Sequence, residues 1–163
     1  MIEIQNFDFL IGKWTVINKK LKERLKNCTE WIVFTAEMET KPFLNGLGLM
    51  DEMKSSHFGD DFIGFSIRMV NPDTNIWTIY WADTLSPENY LKEQVTGAFK
   101  NGIGEFYGKE KYQGKDYKLR FTWKKPSIDT ALWEQAYFDE QKNEWETNWI
   151  MEFTKTHKTL LTI

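Results

Sequence analysis

Short stretches in which apolar and polar residues alternate recur along the whole chain. In the stretch YKLRFTWK, Tyr117 to Lys124, every second residue is apolar and the residues between are polar. A period of two places the two kinds of side chain on opposite faces of a β-strand. The pattern therefore predicts antiparallel strands with one face on a core and the other in water.

Ten segments carry this extended pattern, and turn signals such as Asn101-Gly102 separate them. In chain order they are Trp14–Leu25, Thr29–Lys41, Leu44–Lys54, Phe62–Val70, Ile76–Asp83, Glu93–Lys100, Ile103–Tyr112, Tyr117–Lys125, Leu132–Asp139 and Trp145–Lys155. Helix is predicted only as one turn over Phe7 to Ile11, capped by Asn6, and a second turn that begins at Ser86.

Hairpin follows hairpin, and a closed barrel leaves no strand edge to protect. The sequence therefore predicts an all-β fold: a single up-and-down antiparallel barrel of about eight to ten strands with a short N-terminal helical turn. We expect one domain over residues 1–163, because no linker or repeat divides the chain. Glycines inside the predicted strands, among them Gly97 and Gly108, suggest bulges or tight bends.

Composition narrows the functional classes. The 163 residues hold 21 basic and 24 acidic side chains, a net charge of -3, which does not favour a nucleic-acid partner. The single Cys28 excludes an internal disulfide and fits a reducing compartment. The N-terminus lacks a signal-peptide pattern and no apolar run is long enough for a membrane span, so we expect a cytoplasmic protein without a membrane partner.

The opening stretch FDFLIGKW contains Gly12-Lys13-Trp14 and resembles the Gly-x-Trp start of lipocalin-like (calycin) barrels. Five further stretches extend the likeness over nearly the whole chain: LNGLGLMDE, SIRMVNPDTNIWTIYWAD, GAFKNGIGEFYG, LRFTW and WEQAYFDEQKNEWETNWIMEFTK. Together they are similar to an uncharacterised bacterial family of this barrel class, a domain of unknown function. The resemblance implies a barrel whose Trp packs across one end, and it implies no activity.

A barrel of this size either fills its interior with side chains or keeps a pocket at one mouth. We therefore expect a small, largely apolar ligand with a polar or acidic head, bound without a cofactor or metal. The candidate binding residues are polar groups set among rings, together with the rings themselves: Arg68, Arg120, Glu134, Asn148, Trp81, Trp149 and Tyr80. Arg68 could instead form an ion pair with Asp51 or Glu52, and Arg120 could be solvated, because Lys118 and Lys124 share its strand face. An Arg120–Glu134–Asn148 cluster would satisfy its own polar groups.

Three alternatives stay open. A cofactor-free lyase, isomerase or hydrolase would use Glu134 or Glu52 as a general base. A haem barrel would bind iron through His157, because the nitrobindins, which also open on Gly-x-Trp, carry a ligating histidine close to the C-terminus. Finally, strands with two apolar faces, such as NIWTIYWAD, would suit a homodimer.

Overall fold

The structure is a computed structural model that describes residues 6–89 and 91–157. Its ten strands are β1 (Gly12–Leu21), β2 (Trp31–Phe43), β3 (Gly48–Lys54), β4 (Ile63–Asn71), β5 (Ile76–Asp83), β6 (Lys92–Lys100), β7 (Ile103–Tyr112), β8 (Lys115–Ser127), β9 (Thr130–Asp139) and β10 (Glu144–Lys155). Each strand pairs antiparallel with the next in sequence, and β1 also pairs with β10, so the sheet closes into a barrel. The predicted all-β, up-and-down barrel is confirmed.

Helical structure in the described part of the chain is limited to single 3₁₀ turns. They span Asp8–Leu10, Leu44–Gly46, Ser56–Phe58 and Pro87–Asn89. The first turn lies where the sequence predicted it, and the Asn6 side chain accepts a hydrogen bond from the backbone N–H of Asp8. The described residues contain no helix that is long and apolar enough to cross a membrane.

The N-terminal turn seals one end of the barrel. Phe7 is fully buried, and its ring contacts those of Trp77, Phe99, Phe106 and Trp123 at centroid distances of 4.8 to 5.7 Å. Trp14 follows at the start of β1 and donates its indole N–H to the Leu10 carbonyl at 2.7 Å. This bond ties the strand to the turn, which is the packing that the Gly-x-Trp resemblance implied.

Two predicted strands are shorter than expected because the backbone turns early. The segment after Leu21 leaves the sheet, and Leu25 and Asn27 both have positive φ, which no strand accommodates. Likewise, Leu44 and Asn45 have positive φ, so β3 begins only at Gly48. Lys20 therefore lies one residue before the end of β1, close to the open mouth of the barrel.

The strand glycines serve close approach and do not themselves mark the bulges. A Cβ added at Gly97 would lie 1.9 Å from the backbone oxygen of Glu105, and one added at Gly108 would lie 1.9 Å from that of Gln94. The shifts in strand register occur elsewhere, between Ile79 and Tyr80, between Lys124 and Ser127 and between Thr147 and Trp149. Bulges at these two glycines are therefore not observed, and tight bends there stay a prediction.

The bulge in β10 exchanges the two faces of that strand. After the bulge, Met151 and Phe153 belong to the interior, whereas Trp145, before it, lies outside, where its ring contacts Tyr107 and Phe138. Unbroken alternation would place Trp145 on the same face as Phe153. One extra residue reverses which side chains face the core.

Replacing Gly97 by Ala should destabilise the barrel by about 2 kcal/mol, because the new methyl group would collide with backbone rather than with a movable side chain. Urea denaturation followed by tryptophan fluorescence measures the change. Lys100→Ala, at an exposed position on the same strand, is the control and should shift the free energy of unfolding by less than about 0.5 kcal/mol. Equal stability of the two variants would contradict the close approach of β6 and β7.

Candidate functional site

The barrel encloses a cavity of about 310 Å³ at the end opposite the N-terminal turn. Aromatic and sulfur-containing side chains form most of its wall: Trp81, Trp123, Trp133, Trp149, Phe121, Phe153, Met38, Met53 and Met151. Lys20, Arg24, Phe58, Leu85 and Ser86 lie at its partly exposed rim. A concave, mostly apolar space with a few polar groups is the usual form of a small-molecule site, and 300–1,000 Å³ is roughly the usual volume.

A buried ion pair lies at the floor of this cavity. Arg68 of β4 donates through Nη1 to the Oδ2 of Asp51 on β3, and the two residues are 4% and 3% exposed. The Phe7 and Trp123 rings hold the guanidinium carbon at 5.2 and 5.4 Å from their centroids. Ring contacts and the ion pair together fix the orientation of the guanidinium group.

Lys20 contributes a positive charge near the mouth. Its Nζ lies 4.5 Å from the ring centroid of Trp149, and no carboxylate in the described ranges forms an ion pair with it. Burial lowers the pKa of this ammonium group below its usual range, nearby Arg24 lowers it further, and Glu110 opposes both. A partly desolvated cation that forms no ion pair with a described carboxylate is a position at which an acidic ligand group would be stabilised.

A hydrogen-bonded chain braces the same rim. Arg24 donates to the hydroxyl of Tyr137, and that hydroxyl donates to Glu110. Burial and the Glu110 carboxylate raise the pKa of Tyr137, so the hydroxyl stays protonated and remains a donor. The chain fixes Arg24, which lies in the loop after β1, against the wall formed by β7 and β9.

Three of the predicted binding residues line the cavity. Arg68 is at the floor, Trp81 and Trp149 are in the wall, and each indole N–H already has a protein partner: Asp83 at 2.8 Å and Asn18 at 3.0 Å. The alternative that Arg68 pairs with Asp51 is confirmed. Whether Arg68, Trp81 and Trp149 bind a ligand stays a prediction.

The other four predicted residues do not line it. Arg120 lies on the outer face, 4.6 Å from the ring centroid of Trp145, and Glu134 lies there as well, 3.2 Å from Lys124. Tyr80 falls on the strand face opposite Ile79 and Trp81, which both line the cavity. The predicted Arg120–Glu134–Asn148 cluster is therefore wrong, because Arg120 and Glu134 lie on the outer face and Asn148 is buried.

Asn148 is buried for a different reason. It sits in the β10 bulge, and its side-chain oxygen accepts a hydrogen bond from Gln135 at 2.9 Å. Gln135, which follows Glu134 in sequence, lines the cavity, whereas Glu134 does not. Asn148 thus positions Gln135 rather than joining Arg120.

Neither carboxylate proposed as a general base faces the cavity. Glu52 is exposed on the outer side of β3, and Glu134 pairs with Lys124. The lining carboxylates are Asp51, Asp83 and Glu110, and each accepts a hydrogen bond from a protein group. The general-base prediction for Glu52 and Glu134 therefore has no support in their positions.

His157 does not fit a haem site. Its side chain is 71% exposed and lies 3.3 Å from Asp129, beyond the end of β10 and at the sealed end of the barrel. The mouth of the cavity is at the opposite end. Within residues 6–89 and 91–157, no group of three His, Cys, Asp or Glu side chains is placed to hold a metal ion.

Sequence reasoning missed Lys20 and Trp123. Trp14, Val16, Asn18 and Lys20 form one inward series on β1, so alternation from Trp14 would have found Lys20. Taken by itself, the basic run KKLKERLK, Lys19 to Lys26, indicates a solvated hairpin arm. The early end of β1 and the folding of Arg24 back against Tyr137 carried no comparable signal in the sequence.

These features define the class: a closed lipocalin-like barrel, plugged at one end, with a cavity open at the other. No protein-family model matches the chain, and no curated protein matches it. Two solved structures share the fold: a protein of unknown function from Nostoc punctiforme, of the DUF3598 family, and an S-type phycobiliprotein lyase from Guillardia theta.

The Nostoc structure superposes with a TM-score of 0.56 at 11% identity over 95% of this chain, and it is about twice as long, since only 51% of it is covered. The Guillardia lyase gives a TM-score of 0.56 at 6% identity and covers 93% of this chain and 91% of its own. The resemblance to uncharacterised lipocalin-like barrels is thereby confirmed in fold.

Replacing Arg68 by Ala should lower the free energy of unfolding by about 3–5 kcal/mol, because Asp51 would remain buried without its counter-charge. Lys124→Ala is the control: it breaks the partly exposed pair with Glu134 and should cost about 1 kcal/mol or less. Urea denaturation of both variants gives the comparison. Similar losses in the two would show that the Arg68–Asp51 pair is not desolvated.

Proposed function

We propose that this protein binds a small, largely apolar molecule with an acidic head inside the barrel. The observation that carries the proposal is the cavity of about 310 Å³, walled by four indole rings, with Lys20 at its partly exposed rim. Rings of this kind stack on flat apolar ligands, and burial of the ligand surface supplies most of the binding free energy.

The acidic head would lie at the mouth, next to Lys20. Lys20 brings a cation that pairs with no carboxylate of the described residues, whereas Arg68 at the floor is already neutralised by Asp51. An anion therefore gains a charge-assisted hydrogen bond at the mouth, while at the floor it would meet the Asp51 carboxylate. This orientation places the apolar body among Trp123, Trp133 and Trp149.

Catalysis is the less supported alternative. The Guillardia neighbour is named as a phycobiliprotein lyase, so this fold can carry an enzyme. In this chain, however, each of the three carboxylates that line the cavity already accepts a hydrogen bond from a protein donor, and the two carboxylates considered as general bases, Glu52 and Glu134, lie on the outer face. Binding without catalysis requires only the aromatic wall of the cavity and the Lys20 cation.

A cytoplasmic location and a homodimer remain predictions. The outer face of β3 to β5 exposes Met50, Met69 and Ile76, which would suit pairing of two barrels.

Replacing Lys20 by Met should weaken binding of naphthylacetate about tenfold, because the carboxylate loses its charged donor. Binding of the uncharged naphthylethanol should change little, since the wall is intact. Tryptophan quenching titrations measure both constants. Lys22→Met is the control, because Lys22 pairs with Glu30 on the surface and does not line the cavity.

Native mass spectrometry of the protein as purified from cells gives the independent measurement. We expect an adduct that leaves on denaturation and that is displaced by naphthylacetate. A clean protein mass together with no quenching by either naphthyl compound would overturn the proposed function.

The affinity for naphthylacetate should fall as the pH rises through the pKa of Lys20, because only the ammonium form binds the carboxylate. Burial and Arg24 lower this pKa from the ordinary value of 10.5, so the fall should begin at lower pH than a surface lysine would give. Titrations at several pH values test this, and the Lys20→Met variant should lack the step. A step that persists in that variant would assign it to another group.

A further inference from the structure

Three polar residues form a cluster at the cavity floor. Asp51 of β3 and Ser66 of β4 are direct cross-strand partners, and Arg68 is the next inward residue on β4. They are 3%, 6% and 4% exposed, and all three line the cavity. The cluster is therefore a dry, polar end to an otherwise aromatic space.

The fold alone gives no reason for this cluster. Replacing a buried ion pair by well-packed apolar residues is often neutral or stabilising, since desolvation of two charges offsets their attraction. The adjoining interior positions are apolar: Leu49 and Met53 flank Asp51 on its strand face. A buried pair that lines a cavity is more readily explained by what it could bind.

The cluster also retains unused hydrogen-bonding groups. A guanidinium carries five N–H groups, and Arg68 donates one of them to Asp51, while its Nε–H has no partner among the residues described. The buried indole N–H of Trp123, beside Arg68, likewise has none. Asp51 accepts through Oδ2, and its Oδ1 receives no hydrogen bond from the described chain.

The charges of the cluster cancel, which determines what it can accept. A second carboxylate would be repelled by Asp51, and a purely apolar group would leave the donors unpaired, at about 1–3 kcal/mol for each buried group. An uncharged group with one acceptor and one donor suits both partners. Its oxygen would meet the guanidinium group of Arg68, and its N–H would meet the carboxylate of Asp51.

We propose that the cavity floor binds an uncharged group that has a carbonyl oxygen beside an N–H, such as a carboxamide, a lactam or an imide. This inference rests on the proposed function, because it names the buried end of the same ligand whose acidic head lies at Lys20. The ligand class is then an aromatic acid with an amide-type group at its far end.

Three naphthylacetates that differ only in one substituent on the far ring test the proposal: a carboxamide, an acetyl group and a carboxylate. The groups are close in size, so the wall contacts stay constant. We expect the carboxamide to bind about tenfold more tightly than the acetyl compound, which lacks the N–H, and the carboxylate to bind least. Calorimetric titration of the unaltered protein ranks them without any variant.

The variant Asp51→Asn sharpens the test. It removes the negative charge and leaves the Arg68 cation uncompensated, so the carboxylate compound should become the tightest of the three. Glu52→Gln is the control, because Glu52 is adjacent in sequence but exposed on the outer face. It should leave the original ranking unchanged.

The outcomes separate the two proposals. Equal binding of the three compounds, with affinity still dependent on Lys20, would overturn the amide-type floor and leave the proposed function standing. Absence of binding by all three would overturn both. If Asp51→Asn does not fold, the ranking on the unaltered protein alone decides, and a carboxylate that binds as tightly as the carboxamide overturns the inference.

Discussion

Closure of ten strands into one sheet is the constraint on which the rest of the structure depends. Closing the sheet pairs every strand on both sides, so no edge is left for aggregation. It also fixes the interior diameter, because that diameter is set by strand number and stagger. Ten strands enclose more space than the inward side chains fill, and the remaining volume is the cavity.

The N-terminal turn decides that this cavity has one mouth. Phe7 fills the sealed end with its ring, and Trp14 anchors the turn through the Leu10 carbonyl. The aromatic cluster there is dense and apolar and closes that end among the described residues. A ligand of the proposed kind would therefore enter and leave past Lys20, Phe58 and Leu85 at the opposite rim.

The sequence predicted those features of the barrel that depend on local periodicity. Strand positions, the turn capped by Asn6 and the inward face of β8 followed from alternation and turn residues, which are properties of neighbours in sequence. The candidate site depended on register across strands, which alternation cannot give once a bulge intervenes. Asn148 and Trp145 changed roles for that reason, because both belong to the part of β10 that the bulge reverses.

Arg120 and Glu134 were misplaced for a second reason. Each stands beside a large ring in sequence, Phe121 or Trp133, but those rings face inward while the two polar groups face out. Arg120 covers Trp145 on the outside, an arrangement in which an apolar stem and ring pack while the charge stays near water. Polar residues among aromatic ones indicate a strand, and only the parity of the position tells which face they occupy.

The two polar ends of the cavity would act on a ligand in different ways. Lys20 is partly exposed, so its attraction for an anion is screened by water and salt and contributes to the rate of capture as much as to affinity. The Asp51–Arg68 pair is dry, and there an unmatched hydrogen-bonding group costs its full desolvation. Selection between similar ligands would then occur at the floor and attraction at the mouth, with the indole wall supplying affinity that is largely independent of both.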